Sequence, residues 1–483
     1  MSLFSTAYGN VGSSIYYALG LVAAHALGLT PLVFLFAGGL FTLTAQTYAE
    51  GATMFPEAGG SSSFARHAFD EIVSFIAGWA LMLDYVITIA ISAFFVPHYL
   101  GPFVDALRGG SEDVIAGVAV VVLLAVINMR GLGRAAGLNV GLALIDIATE
   151  IVIVALGVVL VLSPEQLVNQ IDLGVAPTWS ELIFAISISM VAYTGIETIA
   201  NMAEEERDPG RDLPRAANGV VVAVIGLYLA ITVIALSALP VTQGADGEFT
   251  TQLGTTYQDD PILGIVANLG LGGIEDAARI YVGVLAATIL LIAANAGLIG
   301  ISRLSWSLAE HHQLPGAFAD LYGRGRTPAV AIVVFAALAI LLILPGEASF
   351  LGNLYSFGAL LSFTIAHVSL VALRLRQPDR ERPYRAPWNV RVRGRPVSLT
   401  AVLGGVGTFA AWISVVVLHE EARILGIAWM ALGLTGYLLY RRHIGVDPRE
   451  IHRRGLERPD HLPRYTRGPR RRTAQRQQRE EHA

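Results

Sequence analysis

Apolar runs close to the ~20 residues that a helix needs to cross a hydrocarbon core recur along this chain from one end to the other. They fall at about 9–27, 30–52, 72–99, 112–129, 137–162, 178–202, 217–240, 277–302, 327–345, 349–374, 399–418 and 424–441. A backbone facing lipid must satisfy its own hydrogen bonds, so each run is expected to be a helix and the chain an all-α membrane protein of about twelve spans. Composition agrees, with 54% hydrophobic and only 15% charged residues against about 25% in soluble domains. Cysteine is absent, which excludes disulfides and thiolate chemistry. Lysine is absent too: all 33 basic residues are arginine, which stays protonated.

Arginine also sets the expected orientation. Alternate connections carry Arg66; Arg130 and Arg134; Arg207, Arg211 and Arg215; Arg303, Arg324 and Arg326; and a dense set from Arg374 to Arg395. The others are poor in arginine or acidic, including the one that holds Asp259. The positive-inside rule then places the arginine-rich set and both termini in the cytoplasm of a plasma-membrane protein. The first residues have no basic region ahead of the apolar run and read as part of the first span, not as a cleaved signal. Residues 1–442 form the transmembrane domain, and 443–483 read as an arginine-rich cytoplasmic tail that cannot bury a core.

Two spans are interrupted by small and polar residues. The first holds Gly9-Asn10-Val11-Gly12-Ser13-Ser14, and the sixth Ala192-Tyr193-Thr194-Gly195-Ile196-Glu197. Discontinuous helices at matching places in two halves point to an inverted-repeat transporter that binds its substrate at the breaks. This spacing fits five-plus-five repeats at about 9–162 and 178–374, with two extra helices at about 399–441. Intramembrane carboxylates mark candidate transport residues because they are costly to bury. Asp84, with Tyr85 beside it and Thr88 one turn on, lies in the third span; Asp146 and Glu150 lie one turn apart in the fifth; Glu197 follows the second break. His25, His98 and His367 read as isolated structural residues, and His311-His312 as a solvated loop pair.

Three connections, FPEAGGSSSFARHAF, AEEERDPGRDLPRA and SRLSWSLAEHHQLPGAFADL, occur in order after the second, sixth and eighth spans. On these the sequence resembles the amino acid–polyamine–organocation superfamily of permeases over nearly all of residues 9–441. The resemblance implies a fold like that of the sodium-coupled leucine transporter, with alternating access. It implies that Gly12-Ser13-Ser14 receives a substrate carboxylate, with Ser14 standing where a third glycine is usual. Tyr193, Thr194, Gly195 and Tyr355 complete the expected substrate site. Related proton-coupled permeases often place a lysine in the fifth helix; here the nearest residue is Asp146, so that lysine mechanism is excluded. Asp84, Tyr85, Thr88, Thr194, Glu197 and Tyr355 resemble the ion-binding pattern of bacterial potassium–proton symporters of the same superfamily. Asn10 stands where those carry an acid.

The expectation is a secondary importer of an amino acid driven by H+ or Na+, with Asp84, Tyr85, Thr88, Asp146, Glu150 and Glu197 coupling the ion. The alternative is a potassium–proton symporter. An enzyme is not expected, since the chain has no Gly-x-Ser-x-Gly elbow, phosphate loop or convergent metal set. The expected partners are a small-molecule substrate and the bilayer, without nucleic acid, metal or cofactor; the oligomeric state stays open.

Overall fold

The computed structural model describes residues 2–104, 107, 111–131, 136–244, 247–323, 327–392 and 394–451. Arg134, Arg324, Arg326 and tail residues 452–483 lie outside the described residues. The first crossing is split into α1 (Ser2–Gly12) and α2 (Ile15–Ala26), followed by α3 (Thr30–Met54) and the short α4 (Ser61–Ala68). Then come α5 (Glu71–Leu100), α6 (Ser111–Met129), α7 (Ala136–Leu160) and α8 (Pro164–Asn169). The sixth crossing is again split, into α9 (Trp179–Ser189), a 3-10 turn at Met190–Tyr193 and α10 (Glu197–Asn201). Next are α11 (Pro209–Ala238), the short strands β1 (Val241–Gln243) and β2 (Phe249–Thr251), α12 (Pro261–Ala267) and α13 (Glu275–Glu310). The chain ends in α14 (Ala329–Ile343), α15 (Ala348–Arg376), the hairpin β3 (Asn389–Val392) with β4 (Arg395–Ser398), α16 (Leu399–Leu418) and α17 (Glu420–His443).

Ten segments among the described residues are long and apolar enough to span a bilayer. The first, Leu3–Met54, has 52 residues, enough for two crossings, whereas Ala329–Ile343 falls short of a full span. A count of twelve follows when Leu3–Met54 crosses twice and α14 crosses once. Burial separates the roles of the helices. The apolar window of α5 is 94% buried, while those of α6, α16 and α17 are 28%, 28% and 22% buried. So α5 is the central pillar, packed on α13, α15, α4 and α6, and the outer helices turn Leu, Ile, Val and Phe outward as lipid-facing surface. Glycines allow the closest approaches around the pillar: a Cβ at Gly300 would meet the Tyr85 ring at 2.5 Å, and one at Gly433 the Trp79 indole at 2.1 Å. On α17, the Trp429 indole stacks on Trp79 with centroids 4.5 Å apart, and each ring N–H donates to the other residue's carbonyl.

Three expectations change. The eighth span does not end near Ser302: α13 continues to Glu310, because beyond the apolar run Arg303 pairs with Glu205 at 2.7 Å and Ser307 donates to the Ala58 carbonyl at 2.8 Å. Similarly α11 starts at Pro209, two turns ahead of the apolar run, where proline suits a first helical turn. His311 and His312 are not solvated but 6% and 7% exposed, since the chain folds back under α13 and the His311 carbonyl accepts from buried Arg441 at 3.2 Å.

Candidate functional site

The first break is made by two serines. After Gly12 the Ser13 hydroxyl donates to the Asn10 carbonyl at 3.0 Å, the Ser14 amide to the Val11 carbonyl at 3.0 Å, and α2 restarts at Ile15. The position a Cβ would take on Gly12 lies 2.7 Å from the Tyr8 ring, so a side chain there would have to push that ring aside. Tyr228 of α11 donates to the Val11 carbonyl at 2.6 Å, beside the Ser14 amide, and approaches the Gly12 carbonyl at 3.3 Å. At the second break Thr194 is extended and Gly195 has φ +111°, a conformation that side chains rarely adopt. The Gly195 amide donates to Glu197 Oε2 at 3.0 Å, and α10 begins at Glu197. The two breaks touch: a Cβ on Gly195 would sit 3.0 Å from both Asn10 and Val11, and Asn10 Nδ2 donates to Thr198 Oγ1 at 2.9 Å.

On one side of the breaks the structure gathers Asp84, Thr88, Thr194, Glu197 and Tyr355. Thr88 Oγ1 lies 2.7 Å and Thr194 Oγ1 2.5 Å from the Tyr355 hydroxyl, which links α5, the second break and α15. Gly358 lets α15 come this close, since a Cβ there would already stand 3.1 Å from the Asp84 amide. Asp84 is fully buried, and neither of its carboxylate oxygens has a hydrogen-bond partner among the described residues. Glu197, also buried, is near enough for the two carboxylates to repel each other. Burying a carboxylate without a partner is costly, which keeps Asp84 a candidate transport residue. The Tyr85 hydroxyl instead accepts from the Asn201 amide.

Asp146 and Glu150 lie on the other side, tied to the first crossing. Tyr16 of α2 donates to Asp146 Oδ1 at 2.6 Å, and Tyr8 of α1 lies 3.1 Å from Asp146 Oδ2 and 3.3 Å from Glu150 Oε2. One carboxylate therefore holds both halves of the broken helix. Tyr193 takes a different place from the one expected, its hydroxyl donating to the Phe34 carbonyl at 2.8 Å and its ring packed on Phe41 and Tyr228. Sequence reasoning missed Tyr8, Tyr16, Tyr17 and Tyr228. Tyr17, whose hydroxyl is 2.8 Å from Ser14 Oγ, had a signal in its position three residues after the break; Tyr228 had none, because its role depends on how α11 packs.

The three characteristic connections converge at one end of the bundle. The Ala58 amide donates to Glu204 at 3.1 Å, the Gly59 amide to Asn201 at 3.0 Å, and Ser307 to the Ala58 carbonyl at 2.8 Å. Asn201 closes α10, so this junction touches the helix that leaves the second break. Arg66 is clamped between Glu57 at 3.6 Å and Glu71 at 3.2 Å. Burial would raise the Glu57 carboxyl, but hydrogen bonds from His67 and Ser63 and the Arg66 charge outweigh it and hold Glu57 at about 2.

Known proteins share this organisation. The methylthioribose transporter and the branched-chain amino acid permease BcaP of Bacillus subtilis are each 23% identical over 89% of this chain and 90% of their own. The low-affinity putrescine importer PlaP of Escherichia coli is 23% identical over 87% of this chain and 88% of its own. Among solved structures, a mutant of the Eremococcus coleocola manganese transporter superposes with TM-score 0.54 at 12% identity, covering 92% of this chain and 94% of that one, a likeness of fold. The profile of the family described as amino acid permease matches residues 1–430, and the chain is accordingly a member of the amino acid permease family, an integral membrane transporter of the amino acid–polyamine–organocation superfamily.

Proposed function

We propose that this permease imports an amino acid by proton or sodium symport, alternating access around the paired breaks of the first and sixth crossings. The observation that carries the reading is the contact between the two breaks, beside which Asp84 and Glu197 are buried without any cationic side chain among their recorded partners. The substrate carboxylate would meet Ser13, Ser14 and the amides at the start of α2, where the helix dipole favours an anion. The substrate ammonium or the coupling cation would meet Asp84 or Glu197. Asp146 and Glu150 would carry the exchangeable proton or cation that sets how tightly Tyr8 and Tyr16 hold the two halves of the first crossing. The names of the relatives support a small metabolite as cargo: one is a branched-chain amino acid permease, another a putrescine importer, a third a methylthioribose transporter.

One observation favours a second reading. The hydroxyls of Thr88, Thr194 and Tyr355 come together from three separate elements, and Asp84 lies one turn before Thr88 on α5, an all-oxygen set suited to replacing the hydration shell of a potassium ion. Proteoliposomes loaded with purified protein separate the two. Under the first reading, an imposed proton or sodium gradient drives concentrative uptake of at least one labelled amino acid, and rubidium stays at the level of empty liposomes. Rubidium uptake with no amino acid accumulated would replace the first reading by the second.

A further inference from the structure

His98 looks isolated in the sequence, and the fold corrects that. It lies in the last turn of α5, 5% exposed, with Nε2 3.4 Å from Asp113 Oδ2 in the first turn of α6 and 3.9 Å from Asp259 Oδ2 in the segment between β2 and α12. The other ring nitrogen, Nδ1, is 3.0 Å from the Phe94 carbonyl, which only accepts, so Nδ1 carries hydrogen. A neutral ring would then aim its lone pair at two carboxylates. An imidazolium instead presents N–H to both, and the charges attract.

The segment that carries Asp259 lies directly on α2. A Cβ on Gly20 would meet the Gln258 carbonyl at 2.0 Å, and one on Gly254 the Ala24 backbone at 2.3 Å. Beside His98, Tyr99 donates to the Tyr16 carbonyl of α2 at 2.6 Å. Among the described residues, Asp113 from α6 and Asp259 from the segment are brought to this point, with Asp260 beside Tyr99; α2 offers the Tyr16 carbonyl, and α13 approaches through Gly283, with the Arg279 guanidinium one turn before it. Burial holds the Asp259 carboxyl above the usual carboxylate range; the His98 charge works against that, and the Asp113 carboxylate adds to it.

We infer that His98, Asp113 and Asp259 form a proton-binding site, at the end of the bundle away from the arginine-rich connections, whose bound proton latches the 252–268 segment over α2. The latched form holds one more proton than the released form. Acid therefore favours the latch, and removing the proton at higher pH releases it. The site is separate from the carboxylates at the breaks and would gate their access from this end whatever the substrate.

The test needs no transport measurement, so it stands or falls apart from the proposed function. The chain has no cysteine, and Ile265 on α12 is fully buried, so a single Ile265→Cys reports lifting of the segment. Its reaction with a small maleimide is followed in purified protein at about pH 5.5 and about pH 8, each rate divided by that of N-acetylcysteine to remove thiol ionisation. With His98 present, the corrected rate should rise about fivefold or more toward the higher pH. His98→Asn should give a fast rate at both pH values and His98→Arg a slow one at both, and Asp259→Asn should flatten the profile. Should His98→Asn prove unstable on gel filtration, Asp259→Asn carries the comparison. A flat profile with His98 present, or a profile unchanged by the stable variants, overturns the latch.

Discussion

At Gly195 the backbone and the packing impose the same requirement. Its φ of +111° strains any side chain, at a cost of about 1–3 kcal/mol, and a Cβ would press on Asn10 and Val11 of the facing break. Gly195→Leu should therefore insert into the membrane yet lose transport, and normal uptake by that variant would reduce the second break to a packing feature. Asp84 poses a different question, because its shape is compatible with asparagine and only its charge is removed. With neither oxygen partnered among the described residues, Asp84→Asn should abolish concentrative uptake and leave passive exchange largely intact, read as accumulation against counterflow in the same liposomes. If the protein is an amino acid carrier, some substrate binding persists through Ser13 and Ser14; if it carries potassium, binding itself weakens. Full accumulation by both Asp84→Asn and Glu197→Gln would remove these carboxylates from the mechanism. Tyr228→Phe removes the hydroxyl from the Val11 and Gly12 carbonyls and should slow transport severalfold without altering the fold, at a cost of about 0.5–1.5 kcal/mol, because the Val11 carbonyl keeps the Ser14 amide as a donor.

Among the elements, what was legible in the sequence follows from how each signal arises. The long helices of the spans are written locally as apolar runs, and both breaks as runs of glycine and small polar residues, so their existence and place could be read directly. Helix ends were less legible, as with α13, because charged turns beyond the bilayer are held by partners such as Glu205 that only the fold supplies. The candidate site was legible to the extent that it rests on residues costly to bury, Asp84, Asp146, Glu150 and Glu197. The tyrosines that hold Asp146 and Glu150 were not, since a tyrosine in an apolar run is ordinary. The element most exposed to test is α4 with its flanking turn, where Glu57 joins Ser63, His67 and Arg66. The folded carboxyl titrates near 2 and a free glutamate near 4.3, so its stabilisation is complete above the free value and is lost as pH falls through the folded one. Glu57→Gln should destabilise the protein by about 1 kcal/mol at neutral pH, the figure being kept small because the carboxyl is partly exposed. That difference should shrink below about pH 4 when thermal unfolding of the two proteins is compared, as expected for a group with this separation of pKa values.

Across the whole molecule, charge is sorted between the two ends. Glu57, Arg66, Glu71, Glu205, Arg303, Arg374, Arg376 and Arg441 are joined by ion pairs and hydrogen bonds into one end of the bundle: Arg374 pairs with buried Glu50, Arg376 donates to the Ala68 carbonyl, and Arg441 reaches Glu71 at 3.7 Å. His98, Asp113 and Asp259 form a second group, with no arginine paired to them among the described residues. The positive-inside rule turns this separation into an orientation, because arginine translocates poorly while acidic connections pass. Arg211 and Arg385 are exposed on connections of the first kind, and Glu248 is exposed on the long acidic connection. A native chain without cysteine lets each position be probed alone. An impermeant thiol reagent added to intact cells should label Glu248→Cys and spare Arg211→Cys and Arg385→Cys, which should react only after the membrane is opened. An even number of crossings then puts both termini on the side of Arg385. Labelling of position 385 from outside would invert the assignment, and would move the His98 site to the cytoplasmic face, where it would respond to internal instead of external pH.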